Sequence, residues 1–164
     1  MNRWLPLTFV VSCSLFACGG AAPPPATSST ASSAPASDGE RCLAVAAQKR
    51  EPKSNEPAKI TAKHILVKWS GAKKAPASVT RTREAACLRA AEARQKLMSG
   101  ESFASVVAAY SEEQGAATRE GSLGSIQRSD VVPPFADAAF ALGVGEGSDV
   151  VETDYGFHVI VRVE

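Results

Sequence analysis

The chain has two histidines, His64 and His158, and each lies in the middle of a short apolar segment. A neutral imidazole donates a hydrogen bond through one ring nitrogen and accepts one through the other, so two such rings can organise a hydrogen-bond network around a reactive site. A histidine among apolar residues is more often a buried group with a partner for each nitrogen than a catalyst. The pattern alone therefore favours a structural role for both rings.

Cys42 and Cys87 are the two cysteines of the predicted mature chain besides Cys18. Neither stands at metal-ligand spacing. The residues leave open whether they form a disulfide or are two separate small hydrophobic side chains. The sequence also shows no glycine-rich phosphate loop, no metal-ligand cluster and no Ser-His-Asp arrangement. These observations argue against hydrolytic and cofactor-dependent enzymes, and we expect neither a metal nor a cofactor.

Length and charge exclude further classes of protein. With 164 residues the chain has room for one globular domain. Lys and Arg number 18 against 17 Asp and Glu, a formal net charge of +1, which argues against a nucleic-acid-binding protein. No apolar run is long enough for a multispanning membrane protein. We expect a monomer.

The first residues predict export. Residues 1–17 have the pattern of a signal peptide, a cationic start at Arg3 followed by a mostly apolar segment too short to span a bilayer. Leu-Phe-Ala-Cys at 15–18 resembles the lipobox of bacterial lipoproteins, in which the cysteine, here Cys18, carries the lipid. A plain secretory signal with a cysteine there by chance is the alternative.

Residues 18–58 follow as a predicted tether and lead-in segment. Ala, Pro, Ser, Thr and Gly dominate up to Glu40, a composition that cannot bury enough surface to fold. The remainder is polar, with at most one helical turn near 43–48. Gly19 after the cysteine resembles outer-membrane lipoproteins, so we expect a lipid anchor in the outer membrane of the cell envelope, with the domain facing the periplasm.

Residues 59–164 carry the patterns of a folded domain. β-Branched and apolar residues predict strands at 59–69, 121–127, around 150–151 and at 157–163. Helix formers and helical spacing predict helices at 83–98, 102–110 and 134–142. The order β, α, α, β, α, β, β predicts an α+β fold with helices packed on an antiparallel sheet.

Charges are divided unevenly along this domain. Ten basic and two acidic residues lie between Lys59 and Gly100, whereas eleven acids and three bases follow from Glu101 onward. We expect the two halves to complement each other electrostatically within one fold.

Five segments of the domain match a known enzyme family in order. They are Lys-His-Ile-Leu-Val at 63–67, Tyr-Ser-Glu-Glu at 110–113, Gly-Ser-Leu-Gly at 121–124, Pro-Phe-Ala-Asp-Ala-Ala-Phe-Ala-Leu at 134–142 and Thr-Asp-Tyr-Gly-Phe-His-Val-Ile at 153–160. Together they resemble the parvulin-type peptidyl-prolyl cis-trans isomerases over about residues 60–164. The resemblance implies a parvulin-like, FKBP-like α+β fold, a four-stranded antiparallel sheet flanked by about four helices. It also implies rotation about the peptide bond before proline, without bond cleavage.

The resemblance assigns the pocket for the proline ring to Leu123, Val131 and Phe135, which composition alone would make core residues. An apolar pocket suits this reaction because the twisted amide has less charge separation than the planar one. His64 and His158 match the parvulin histidine pair, which lies beneath the pocket in a hydrogen-bond network.

Three further sets of residues follow from the same resemblance. The resemblance implies that Thr153, the first residue of the matched segment 153–160, belongs to the histidine network. Glu113 stands where the family has Asp or Cys, although a loop one residue longer leaves the choice between Glu112 and Glu113 open. A carboxylate there disfavours electron density on the substrate carbonyl and so weakens amide resonance. Lys73 and Lys74 occupy the basic loop of phosphate-directed parvulins and predict a preference for an acidic residue before proline; a merely soluble loop is the alternative.

The function expected from these observations is isomerisation of Xaa-Pro bonds in exported or envelope proteins. The partners are then proline-containing polypeptides and, through the anchor, a membrane. A chaperone module that binds proline peptides with little turnover, or a structural spacer without a ligand, are the alternatives.

Overall fold

A four-stranded sheet organises the chain. The structure, a computed structural model, describes residues 36–164. The strands are β1 (Ile60–Val67), β2 (Ser122–Ile126), β3 (Val151–Thr153) and β4 (Gly156–Arg162), all antiparallel in the order β2-β1-β4-β3. The predicted four-stranded antiparallel sheet is confirmed.

Four α-helices cover the sheet, in agreement with the prediction. They are α1 (Asp38–Ala46), α2 (Arg83–Met98), α3 (Phe103–Tyr110) and α4 (Pro133–Ala141). Thr82 caps α2 by accepting a hydrogen bond from the backbone N–H of Ala85, and Ser102 caps α3 in the same way. Pro133 occupies the first turn of α4, where its missing N–H costs nothing. No helix among residues 36–164 is long and apolar enough to cross a membrane.

The two faces of the sheet bury different clusters. Side chains alternate between faces along a strand, so odd-numbered residues such as Ile65, Val67 and Phe157 face α1, α2 and α3. Even-numbered residues of the same strands, including Ile60 and Ile160, pack with α4. His64 and His158 share the even parity and therefore lie on the α4 face.

Helix α1 corrects the prediction for the segment before residue 59. We expected at most one turn near 43–48 in an otherwise flexible lead-in, but Asp38–Ala46 form a helix started by a capping box between Ser37 and Glu40. Cys42 on this helix is disulfide-bonded to the fully buried Cys87 on α2, with 6.0 Å between the Cα atoms. The folded domain thus begins before residue 59. The disulfide attaches α1 to the core, although the segment itself has little apolar surface to bury.

The electrostatic prediction for the two halves is confirmed. Five ion pairs join the basic first half to the acidic second half: Lys63–Glu120, Arg81–Glu112, Arg83–Glu152, Arg94–Asp149 and Lys96–Glu101. The predicted signal peptide at 1–17, the lipidated Cys18 and the tether up to residue 35 lie outside the described residues.

Candidate active site

His64 and His158 are brought into direct contact by the pairing of β1 with β4. In that register Leu66 lies opposite His158 and His64 opposite Ile160, so the two histidines are diagonal neighbours on one face. Their rings are nearly parallel, with centroids 5.4 Å apart, and their Nδ1 atoms are 3.2 Å apart. Both side chains are buried.

Glu113 is the carboxylate at the outer end of this pair. It lies in the loop after α3, and its Oε2 is 2.8 Å from Nε2 of His64. Arg119 also donates to this carboxylate. Glu112 points elsewhere, to Arg81 at 2.7 Å and to the backbone N–H of Lys68. The geometry therefore places Glu113, and not Glu112, beside the histidines.

The hydrogen bond from His64 is the main cause that lowers the pKa of Glu113. Burial opposes this shift, and the charge of Arg119 reinforces it. Glu113 is therefore an anion at neutral pH, held at one end of a hydrogen-bonded row.

Thr153 closes the other end of the row. Its Oγ1 lies 2.8 Å from Nε2 of His158 and accepts a hydrogen bond from the backbone N–H of Tyr155. A carboxylate can only accept, so His64 donates to Glu113 from Nε2. In the arrangement in which both rings are neutral, Nδ1 of His158 donates to Nδ1 of His64, and Nε2 of His158 accepts the Thr153 hydroxyl proton. Every polar atom of the row then has a partner.

Burial of His158 stabilises the same arrangement. It lowers the pKa of this imidazole well below 6.5, and the charge of Lys68 acts in the same direction. Water could not solvate a positive charge on this ring, since the residue is only 5% exposed. His158 consequently remains a neutral hydrogen-bonding group.

An apolar surface lies directly against the two rings. Phe135 on α4 presents its ring edgewise to both imidazoles, with centroids 5.5 Å from His64 and 5.3 Å from His158. Leu123 on β2 and Val131 before α4 are half-buried and pack against the cluster that contains Phe135. The three predicted pocket residues therefore share one cluster, with Phe135 buried at its base and the other two partly open to solvent.

Lys73 and Lys74 lie on the loop after β1. Their Nζ atoms are 5.3 and 5.8 Å from the centre of the Tyr155 ring. Lys74, Tyr155 and Glu113 line one cavity of about 510 Å³. The loop lysines thus approach the site from the end at which Glu113 lies.

Two residues near the site were not anticipated from the sequence. Lys68 is buried, lines the same cavity and donates from Nζ to the carbonyl of Lys74, which holds the lysine loop in place. Arg119 belongs to the loop whose extra residue was visible in the sequence, but nothing in its spacing indicated a contact with Glu113. The one sequence feature that could have indicated a role for Lys68 is its position directly after the apolar strand.

Gly121 permits the close approach of the chain to the histidine strand. Its φ is +69°, and a Cβ atom there would lie 2.5 Å from the carbonyl oxygen of His64. Only glycine combines this backbone conformation with this contact at no cost. Its N–H and C=O also fasten the loop, the carbonyl accepting from the N–H of His64 at 2.8 Å.

Comparison with known proteins agrees with this geometry. Residues 64–164 match the Rotamase family model, described as a PPIC-type PPIase domain. The chain is 36% identical over 111 residues to Peptidyl-prolyl cis-trans isomerase Pin1 of Arabidopsis thaliana, covering 63% of this chain and 93% of that protein. It is 37% identical over 111 residues to Foldase protein PrsA of Geobacillus kaustophilus, covering 68% of this chain and 34% of the foldase.

A solved structure shows the same fold. Peptidyl-prolyl isomerase ESS1 from Candida albicans superposes with a TM-score of 0.61 at 27% identity, covering 70% of this chain and 66% of that one. The chain therefore spans nearly all of the plant relative but about a third of the foldase.

Proposed function

The chain belongs to the PPIC-type peptidyl-prolyl cis-trans isomerases, the parvulins, and we propose that it accelerates Xaa-Pro isomerisation in exported or envelope proteins without covalent chemistry. The observation that carries this proposal is the contact of Phe135 with a hydrogen-bonded row of two imidazoles that ends in an anionic Glu113. None of these groups is poised as a nucleophile.

The proposed mechanism is differential stabilisation of the twisted amide. Leu123, Val131 and Phe135 receive the proline ring, while the histidine row keeps the base of the site rigid. Rotation about the C–N bond removes amide resonance and returns electron density from the carbonyl oxygen to nitrogen. Glu113 beside the carbonyl destabilises the planar ground state more than the twisted transition state, which lowers the barrier.

Substitution of Glu113 with glutamine is expected to lower kcat/KM about tenfold. Twisting moves roughly a third of an elementary charge off the oxygen, which at about 4 Å and an effective dielectric constant of about 20 is worth roughly 1.4 kcal/mol. The measurement is a protease-coupled isomerisation assay on a peptide with a single Xaa-Pro bond. Glu120→Gln makes the same change of charge in the same loop, where Glu120 pairs with Lys63, and serves as the control. Equal rates for wild type and E113Q would show that the charge has no part in the reaction.

We also propose that the enzyme prefers an acidic residue before proline. The support is the position of Lys74 with Glu113 on one cavity and the proximity of Lys73 to Tyr155. An acidic side chain that enters this cavity gains a cationic partner. Solvent partly screens the attraction between the two charges, which stabilises the bound peptide by about 1 kcal/mol.

Peptides with Glu before proline are therefore expected to react about five times faster in kcat/KM than Ala-Pro peptides, and Lys-Pro peptides more slowly than both. Exchange rates measured by NMR on the three peptides test this. Lys73→Gln combined with Lys74→Gln should remove the difference, whereas Lys59→Gln, an exposed lysine before β1, should keep it. Equal rates for the three wild-type reactions would contradict the preference.

The proposed location is the periplasmic face of the outer membrane, with Cys18 as the lipid anchor. It is supported by the signal-like residues 1–17 and by a disulfide, which persists in oxidising compartments. Incorporation of labelled fatty acid that survives Cys18→Ala would contradict the anchor. A binding module with little turnover is the second candidate, because Phe135 is buried and only Leu123 and Val131 of the proposed pocket are partly open to solvent. The same protease-coupled assay distinguishes it.

A further inference from the structure

A groove of about 460 Å³ lies beside the histidine row at its Thr153 end. Three parts of the fold form its walls. They are the end of α1 with the residues that follow it (46–50), Trp69 with β3 and the turn after it (152–154), and the start of α4 with Val132 (132–134 and 137). The last residue of α1 and the four residues after it thus form one wall of the groove.

The wall formed by residues 46–50 lies outside the part of the chain that matches the family model, residues 64–164. The Cys42–Cys87 disulfide holds α1 against α2, and Ala46 packs into the same core cluster as Cys87. The groove is therefore a built part of the folded molecule and not a gap beside a loose terminal segment.

The surface of the groove is mostly apolar and nearly neutral. Trp69, Val132, Pro133, Pro134 and Ala47 provide carbon surface. The Trp69 ring is held by Phe157, with centroids 5.3 Å apart. Two of its three acids are paired, Asp137 with Arg128 and Glu152 with Arg83. The other charged lining residues are one acid, Asp154, and two bases, Lys49 and Arg50. This lining suits a large apolar side chain, which loses contact with water when it enters.

The groove adjoins the proposed proline site. Thr153 bonds to His158 on one side and lines the groove on the other. Val132, also in the groove, follows directly after the pocket residue Val131. The cavity lined by Lys74 and Glu113 shares no residue with the groove, and Glu113 lies at the end of the row away from Thr153.

We propose that this groove binds the side chains directly after the proline of a client polypeptide and selects large apolar ones. The inference rests on the proposed function, in which the residue before proline lies at the Glu113 end. A chain that crosses the proline pocket from that end must leave toward Thr153, where the α1 wall receives it.

The test compares two peptides that share Ala-Glu-Pro and carry either Phe-Phe or Ala-Ala after the proline. For the full-length protein we expect kcat/KM to be about tenfold higher for the Phe-Phe peptide, as partial burial of an aromatic side chain allows. Ala47→Trp fills the groove from the α1 wall and should reduce this ratio to about one. Ala44→Trp is the matched control, an equally large change at an exposed position of α1, three residues before Ala47, that does not line the groove, and should keep the ratio.

The outcomes distinguish isomerase activity from binding in the groove. Failure of the wild-type protein to isomerise either peptide would contradict the proposed function itself. Turnover of both peptides at equal rates, or a tenfold ratio that persists in A47W, would overturn the groove while leaving the isomerase intact. Amide chemical shifts on adding the Phe-Phe peptide provide a second readout: changes at Ala47 and Trp69 are expected, and changes confined to the exposed patch at Val45 and Leu88 would also overturn it.

Discussion

Replacement of Cys42 and Cys87 by alanine will lower the free energy of unfolding by about 4 kcal/mol. The disulfide closes a loop with a sequence separation of 45 residues, and the chain-entropy model assigns about 4 kcal/mol to a loop of this size. For a domain of this length the loss corresponds to a decrease in Tm of more than about 10 °C. Thermal and urea denaturation of the oxidised protein and of the double variant measure it.

Two comparisons separate the cross-link from the packing of Cys87. Wild-type protein reduced with dithiothreitol keeps both sulfur atoms but loses the bond, so its stability should approach that of the double variant. Ala44→Ser, an exposed change on the same helix, should have almost no effect. A loss below about 1 kcal/mol on reduction would show that α1 docks without its covalent link.

The second large effect is a loss of stability in mild acid. His158 keeps its neutral form when folded because burial lowers its pKa well below 6.5. Below pH 6.5 the unfolded chain binds a proton at this residue that the folded chain does not bind. Stability is therefore complete above pH 6.5 and falls by about 1.4 kcal/mol per pH unit below it, until His158 is protonated in the folded state as well.

Glu113 adds a second contribution at lower pH. Its folded pKa is lowered from 4.5, mainly by the hydrogen bond from His64, so its stabilisation is present above pH 4.5 and is lost as the pH falls through the folded pKa. The two groups together predict a decline that begins near pH 6.5 and steepens below about pH 4.5.

Urea denaturation at several pH values between about 7.5 and 3.5 checks this prediction. His158→Leu removes the titrating group and should flatten the profile above pH 5, whatever its absolute stability. Thr153→Ser keeps the hydroxyl next to His158 and should keep the slope. Should H158L fold too weakly to measure, NMR of the wild-type ring decides: His158 protonated at pH 6 in the folded protein would refute the assignment.

Local patterns were sufficient for most of the secondary structure. The helix predicted at 83–98 has those bounds in the structure, because helix formers, a threonine cap and Ser-Gly at its end all act within a few residues. Helix α1 escaped prediction because its nine residues carry one local signal, the Ser37–Glu40 capping box. Its stability depends on Cys87, a residue 45 positions away.

The candidate site shows the same division. Motif order identified His64, His158, Thr153 and the pocket residues, and the structure brings them together. The choice between Glu112 and Glu113 could not be made from two adjacent identical residues, because it depends on how the longer loop closes over the end of β1. The role of Arg119 was hidden for the same reason.

The sequence by itself determined the family, the order of strands and helices from residue 59 onward, and the alternation of side chains along each strand. These are properties of residue type and period, which neighbouring residues express without the rest of the chain. Only the tertiary structure decided that Glu113 meets His64, that Cys42 meets Cys87, and that α1 forms a wall beside the site. Such contacts join residues tens of positions apart, and their formation depends on the packing of the whole domain, which a local pattern does not encode.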